Sequence, residues 1–176
     1  MRKELLLFIT VTLCCIFESN GQISSYPYSN SFESYNEGWT VHGTNASWTW
    51  NSPAYGNLTE AAEGFYCWVT NNSGTYNNYE NSWVQSPVFD LSSLSTPHVQ
   101  FYIWWETEPY YDGVVFQSSI DSGTSWQNVE LPGEGVNWFN YNSISGLPGG
   151  QAKGWSGNNA TGSGGWLRAI HSLQGL

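Results

Sequence analysis

The sequence predicts an all-β fold of two packed antiparallel sheets. Beyond residue 21 no segment places apolar residues at helical spacing, short runs of alternating character recur, and clusters of Gly, Pro, Asn and Ser separate them. The chain's 176 residues suffice for one domain with a real core. Eight runs carry the reading: WTVHG near Trp39, SWTWN near Trp48, GFYCWVTN from Gly64, NSWVQSPVFDL from Asn81, HVQFYIWWE from His98, GVVFQSSI from Gly113, SWQNVEL from Ser125 and GWLRAIHSL from Gly165. Each is rich in the β-branched and aromatic residues that fit a pleated, half-buried surface.

HVQFYIWWE shows the period of two most clearly. Val99, Phe101, Ile103 and Trp105 share one face and are the predicted core, while Gln100, Tyr102, Trp104 and Glu106 share the other. Residues 133–165 lose this pattern and read as one long Gly- and Asn-rich loop. It is either a functional loop or a solvated excursion pinned by Trp138, Phe139 and Trp155.

The N-terminus orders Arg2-Lys3, an apolar run from Leu5 to Phe17, and a polar stretch ending in small residues, which is the order of a secretory signal. Cleavage is expected after Gly21, because Ser19 and Gly21 fit the small positions. Residues 1–21 are thus a signal peptide and 22–176 the domain of a secreted or cell-surface protein. Leu13 or Cys14 before a modified cysteine argues against a lipoprotein signal. Removal of Cys14 and Cys15 leaves Cys67 alone, so packing rather than a disulfide must hold the fold. With Glu4 and Glu18 also gone, 12 acids face Lys153 and Arg168, which makes nucleic acid and anionic membranes poor partners. The apolar run is too short to span a bilayer, so no membrane insertion of the mature chain is expected.

Three motifs bear on chemistry. SIDSGTSW fits a hairpin opening at Ser119, in which Asp121 accepts backbone N–H groups across the turn, Gly123 supplies the positive φ and Trp126 packs below. Its pattern resembles the Asp-box, where the role is structural. WWETEPYYDG gathers Glu106, Glu108 and Asp112 at the end of a strand, and a loop there could fold carboxylates onto a hard cation such as calcium. Sandwich glycosidases instead need acids alternating on one strand; Pro109 interrupts that alternation after Glu108, which disfavours catalysis. Exposed aromatic faces can stack on sugar rings. Tyr110, Tyr111, Trp138 and Trp155 are the candidates, either as a ligand platform or as covers for the sandwich ends. His42, His98 and His171 are scattered, and no metallopeptidase, nucleophile-elbow or phosphate-loop motif occurs. The sequons at Asn45, Asn57, Asn71 and Asn159 are what an Asn- and Ser-rich chain contains by chance.

From SFES onward the sequence resembles MAM domains and the accessory domain of immune inhibitor A-type metallopeptidases. The residues that carry the likeness are SFES with Trp39, GFYCWVTN, ENSWVQSPVFDLSSL, IWWETEPYYDG, SIDSGTSW and GSGGWLRAIHSLQGL. The resemblance implies a concanavalin-like jelly-roll and a non-catalytic module binding an extracellular glycan or protein, or alternatively an accessory region of an extracellular hydrolase. It implies calcium at Glu33, Glu108 and Asp112, with Glu106 standing where the family has Asp. It also implies closing strands beyond Leu176, so that residues 22–176 would be an incomplete domain within a longer parent chain.

Overall fold

The structure, a computed structural model, describes residues 21–129, 135–158 and 162–176. The proposed signal, apart from Gly21, and the sequon at Asn159 lie outside the described residues.

A strand forms within each of the eight runs: β1 Thr40–Thr44, β2 Trp48–Asn51, β3 Cys67–Thr70, β4 Asn81–Gln85, β5 His98–Ile103, β6 Gln117–Ser118, β7 Gln127–Asn128 and β8 Leu167–Ser172. Among the described residues there is no α-helix, and the one helical turn is a 3-10 turn at Pro148–Gly150. The fold is all-β.

The ladders are small. β1 pairs with β4, β2 with β3, β5 with β8 and β6 with β7, all antiparallel, giving four two-stranded sheets where two wide ones were expected. The strands are only two to six residues long, and the Asn, Gly and Pro clusters between them bend the backbone away before a third strand can join. Single bridges tie one loop to β8, through Val136 and Ile170, and loops to one another, through Val114 and Trp155 and through Tyr141 and Gly154.

β5 alternates as the period of two requires, with Val99, Phe101 and Ile103 shielded and Gln100 and Tyr102 exposed. Across the ladder these face His171, Ala169 and Leu167 of β8. The buried centre is Trp105, Trp155 and Ala169, packed by Phe101, Ile103, Phe116, Trp138 and Phe139. Its rings meet mostly edge to face: Trp138 lies 5.2 Å from Trp155 at 71°, and Phe139 lies 4.8 Å from it at 78°. That is the arrangement the ring quadrupole favours.

Residues 135–158 are therefore no solvated excursion. Ile144 and Trp155 are buried, and Ser156 is buried with its hydroxyl donating to the Asp112 carbonyl at 2.6 Å. The segment lacks a period because it contributes to the core as loop, one anchored residue at a time, and not as strand.

Candidate functional site

The acidic loop between β5 and β6 is held from three sides. From the core side, Trp105 is buried and its indole N–H donates to the Ser156 carbonyl at 3.3 Å. The Thr107 N–H donates to Gly157 O at 2.8 Å, and its hydroxyl bonds to Asp112 O and the Gly157 N–H, both at 3.0 Å. From the long segment, the N–H groups of Ser145 and Gly146 donate to the carbonyls of Tyr110 and Tyr111, each at 2.8 Å. Gly146 is required by close approach, since a Cβ there would run into the Tyr111 carbonyl oxygen. From the third side comes Tyr76, in the loop before β4. Its hydroxyl donates to Asp112 Oδ2 at 2.7 Å and accepts the Glu108 N–H at 3.1 Å.

Burial is the main cause that pushes the Tyr76 phenol up, and the neighbouring Asp112 and Glu108 add to it, reaching about 12. It stays protonated and keeps donating. Tyr76 was invisible to motif reading because GTYNNYE matches no pattern; only the fold brings it to residues 108 and 112.

The loop presents two tyrosines. Tyr110, held at φ 71°, is 52% exposed and Tyr111 60% exposed. The Tyr110 ring lies 5.0 Å from that of Tyr141. The other two expected ligand aromatics require correction. Trp155 is 1% exposed, with its indole N–H donated to Asn137 O at 2.9 Å. Trp138 packs into the same cluster and donates to Val129 O at 2.8 Å. Both rings are committed to the core, because large aromatic faces in a loop without strand partners are the cheapest way to anchor it.

The carboxylates do not assemble as the resemblance implied. Glu33 lies at the other end of a different contact, with Oε1 accepting the N–H groups of Phe65 and Tyr66 at 2.8 and 2.9 Å. Glu106 accepts the Asn57 amide at 3.0 Å. Among the described residues no three Asp, Glu, His or Cys side chains converge as metal ligands. A calcium ion needs six to eight oxygens. Glu108 and Asp112 would supply two carboxylates, so the three-carboxylate set with Glu33 does not fit.

In the hairpin between β6 and β7, Asp121 Oδ1 accepts the Ser125 N–H at 2.8 Å and Oδ2 its hydroxyl at 2.6 Å, while the Ser119 hydroxyl donates to Oδ1 at 2.7 Å. Ser119 Oγ also accepts the Gly123 N–H at 2.8 Å, and Gly123 sits at φ 86°. Trp126 is half-exposed and turns its edge to Trp83. The bonds from Ser125 first, then Ser119, hold the Asp121 carboxyl down at about 2. A depressed carboxyl stabilises the fold above the unfolded value of about 3.9, and that contribution disappears as pH falls from there through about 2. Thermal midpoints of the wild type and Asp121→Asn should therefore differ most at pH 5 and above and converge near pH 2. A difference independent of pH would contradict this.

Cys67 in β3 is chemically quiet. Burial first, and the Glu33 charge second, push its thiol up to about 11, far from thiolate at neutral pH. A shallow cleft of about 490 Å³ lies over β2 and the loop after β3, but three of the four Asn amides lining it already donate within the protein. Asn71 donates to Thr75 O, Asn72 to Ser52 O and Asn77 to Asn45 O. Among the described residues no helix is long and apolar enough to cross a membrane.

Comparison with known proteins yields one informative likeness. The chain is 34% identical over 117 residues to Bacillopeptidase F of Bacillus subtilis (strain 168), a match covering 59% of this chain and 8% of that protein. The chain thus corresponds to a small part of a peptidase more than ten times the length of the match. No protein-family model matches the chain, and no solved structure does.

Proposed function

We propose that the chain is a non-catalytic binding module of a secreted or cell-surface protein, which holds an extracellular glycan or protein through Tyr110 and Tyr111. The observation that carries this reading is a pair of exposed phenol rings on a loop whose backbone is fixed by the core, by residues 145–146 and by Tyr76. Rigid aromatics lose little conformational freedom on binding, which is why such rings dominate recognition surfaces. A jelly-roll connectivity and calcium at Glu108 and Asp112 belong to the same proposal, with loop carbonyls and water completing the shell. The proposal gives Glu106 and Glu108 no catalytic role, because Pro109 interrupts the alternation that sandwich glycosidases need.

Glycan arrays and isothermal titration, each with calcium and with EDTA, test this reading on wild type and on the Tyr110→Ala/Tyr111→Ala double variant. The double variant should bind at least about tenfold more weakly. Unchanged affinity would end the proposal, and a response to calcium lost in Asp112→Asn would locate the ion.

The likeness to part of a peptidase favours a second reading, an accessory region of a larger extracellular peptidase that shapes access to a catalytic domain elsewhere. In that case deleting the module from the parent would change KM for protein substrates while leaving kcat on a small peptide unaltered.

A further inference from the structure

The outward face of the β1–β4 pair gathers aromatic and uncharged polar side chains. Partners across an antiparallel ladder project to the same side, so Thr40 stands beside Gln85, His42 beside Trp83 and Thr44 beside Asn81. The His42 and Trp83 rings are 5.7 Å apart and only 19° from parallel, an offset stack. Trp126, from the β6–β7 hairpin, closes one flank with its ring 6.5 Å from Trp83 at 61°. Trp83 is 40% exposed and Trp126 37%. Around the rings stand polar groups: the Thr40 hydroxyl lies 2.8 Å from His42 Nε2, and the Trp83 indole N–H reaches Gln85 Oε1 at 3.4 Å.

Such a row is costly to leave bare, since a half-exposed Trp gives up much of the stabilisation that burial provides. Its charge narrows the occupant. The chain carries a net charge of −10, yet none of Thr40, His42, Thr44, Asn81, Trp83, Gln85 and Trp126 is Asp, Glu, Lys or Arg. Phosphate or sulfate would find no cation, and a basic peptide no carboxylate. A greasy helix would strand the Asn and Gln amides against an apolar surface. An uncharged ring with one apolar face and hydroxyls at its rim meets both requirements: the apolar face lies on Trp83, and the hydroxyls reach the amides and the Thr side chains.

We infer that the β1–β4 face is a second binding site, taking the pyranose rings of an uncharged oligosaccharide, with Trp83 as the stacking platform flanked by His42 and Trp126. Gln85 and Asn81 hydrogen-bond hydroxyls on either side of the stacked ring. Five residues of strand span roughly 14 Å, so the site suits a short oligosaccharide more than a single sugar. It shares no residue with the tyrosine loop and goes beyond the function proposed for that loop.

Isothermal titration of the full chain with cellohexaose, xylohexaose, laminarihexaose and chitohexaose tests the assignment, using wild type, Trp83→Ala, Trp83→Phe, Gln85→Ala and the Tyr110→Ala/Tyr111→Ala double variant. At least one sugar should bind saturably. Trp83→Ala should weaken it about tenfold or more and Gln85→Ala severalfold, whereas Trp83→Phe, which keeps a ring and guards against misfolding, should retain part of the affinity. The tyrosine double variant should bind that sugar as wild type does. Silence toward all four sugars overturns the inference, as does binding that survives Trp83→Ala. Loss in the tyrosine variant alone overturns it while supporting the function proposed for the loop. A dimer in sedimentation that Trp83→Ala dissolves would make a second copy the occupant and equally overturn it.

Discussion

Trp155→Ala is expected to destabilise the protein by about 3–5 kcal/mol, lowering the thermal midpoint by roughly 10 °C or more. Trp155 is 1% exposed, and four aromatic neighbours, Phe101, Trp105, Trp138 and Phe139, rest against its ring. Its indole N–H satisfies the Asn137 carbonyl, and its backbone exchanges two 2.8 Å bonds with Val114. Alanine keeps the backbone bridge but removes the ring around which the cluster is arranged, and rings anchored in β5 and in other loops cannot collapse inward to fill the space. Trp155→Phe should lose roughly half as much, because it leaves Asn137 O unpaired and a smaller void. Thermal or urea melts of both variants measure this; a midpoint within about 2 °C of wild type for the alanine variant would place the core elsewhere.

The second large effect is expected at Glu80, just before β4. Its Oε1 accepts the Ser47 N–H at 2.8 Å and the Ser82 hydroxyl at 2.6 Å; Oε2 accepts the Ser47 hydroxyl at 2.6 Å and the Asn77 N–H at 3.1 Å. Partial burial works to raise its pKa, but these four bonds outweigh it and hold the carboxyl below its ordinary value. One carboxylate thereby joins the start of β2, the start of β4 and the loop leading into it. Glu80→Ala should cost about 1.5–3 kcal/mol, a figure already reduced for the group's exposure to water. Glu80→Gln should recover only part of that loss, because its NH2 would face a backbone N–H that cannot turn and accept, although the Ser hydroxyl beside it can. The contribution is present above the unfolded Glu value and is lost as pH falls through the lower folded one. An isosteric Gln that melts like wild type would show the acceptor pattern to be dispensable.

Local structure was legible in the sequence because it is written locally. Alternation located all eight strands and gave the buried face of β5 through Phe101, Ile103 and Trp105. Pairing was not legible, since nothing in the residues of β1 names β4 as its neighbour, and nothing in β5 names β8. The region around Ile144 and Trp155 reads as a loop, functional or solvated, because Gly and Asn dilute any period, yet single anchors suffice to bury it. At the acidic loop the exposed pair Tyr110 and Tyr111 could be named in advance. Tyr76, which fixes that loop from more than thirty residues away, could not. Trp83 reads as an ordinary strand residue, and only the fold sets its cross-strand partner His42 and the hairpin's Trp126 beside it.

The ladder joining His98 to Ser172 and Ile103 to Leu167 bears on how the polypeptide is made. During synthesis the chain up to Trp105 emerges with Phe101 and Trp105 unable to find Trp155 or Ala169, which are translated some fifty to seventy residues later. Closure between such distant partners is slow, because the entropy of a long loop is lost before any contact is gained. The nascent chain therefore exposes adhesive aromatics until Trp155 and Ala169 have been made, a window in which a holdase chaperone would have most to offer.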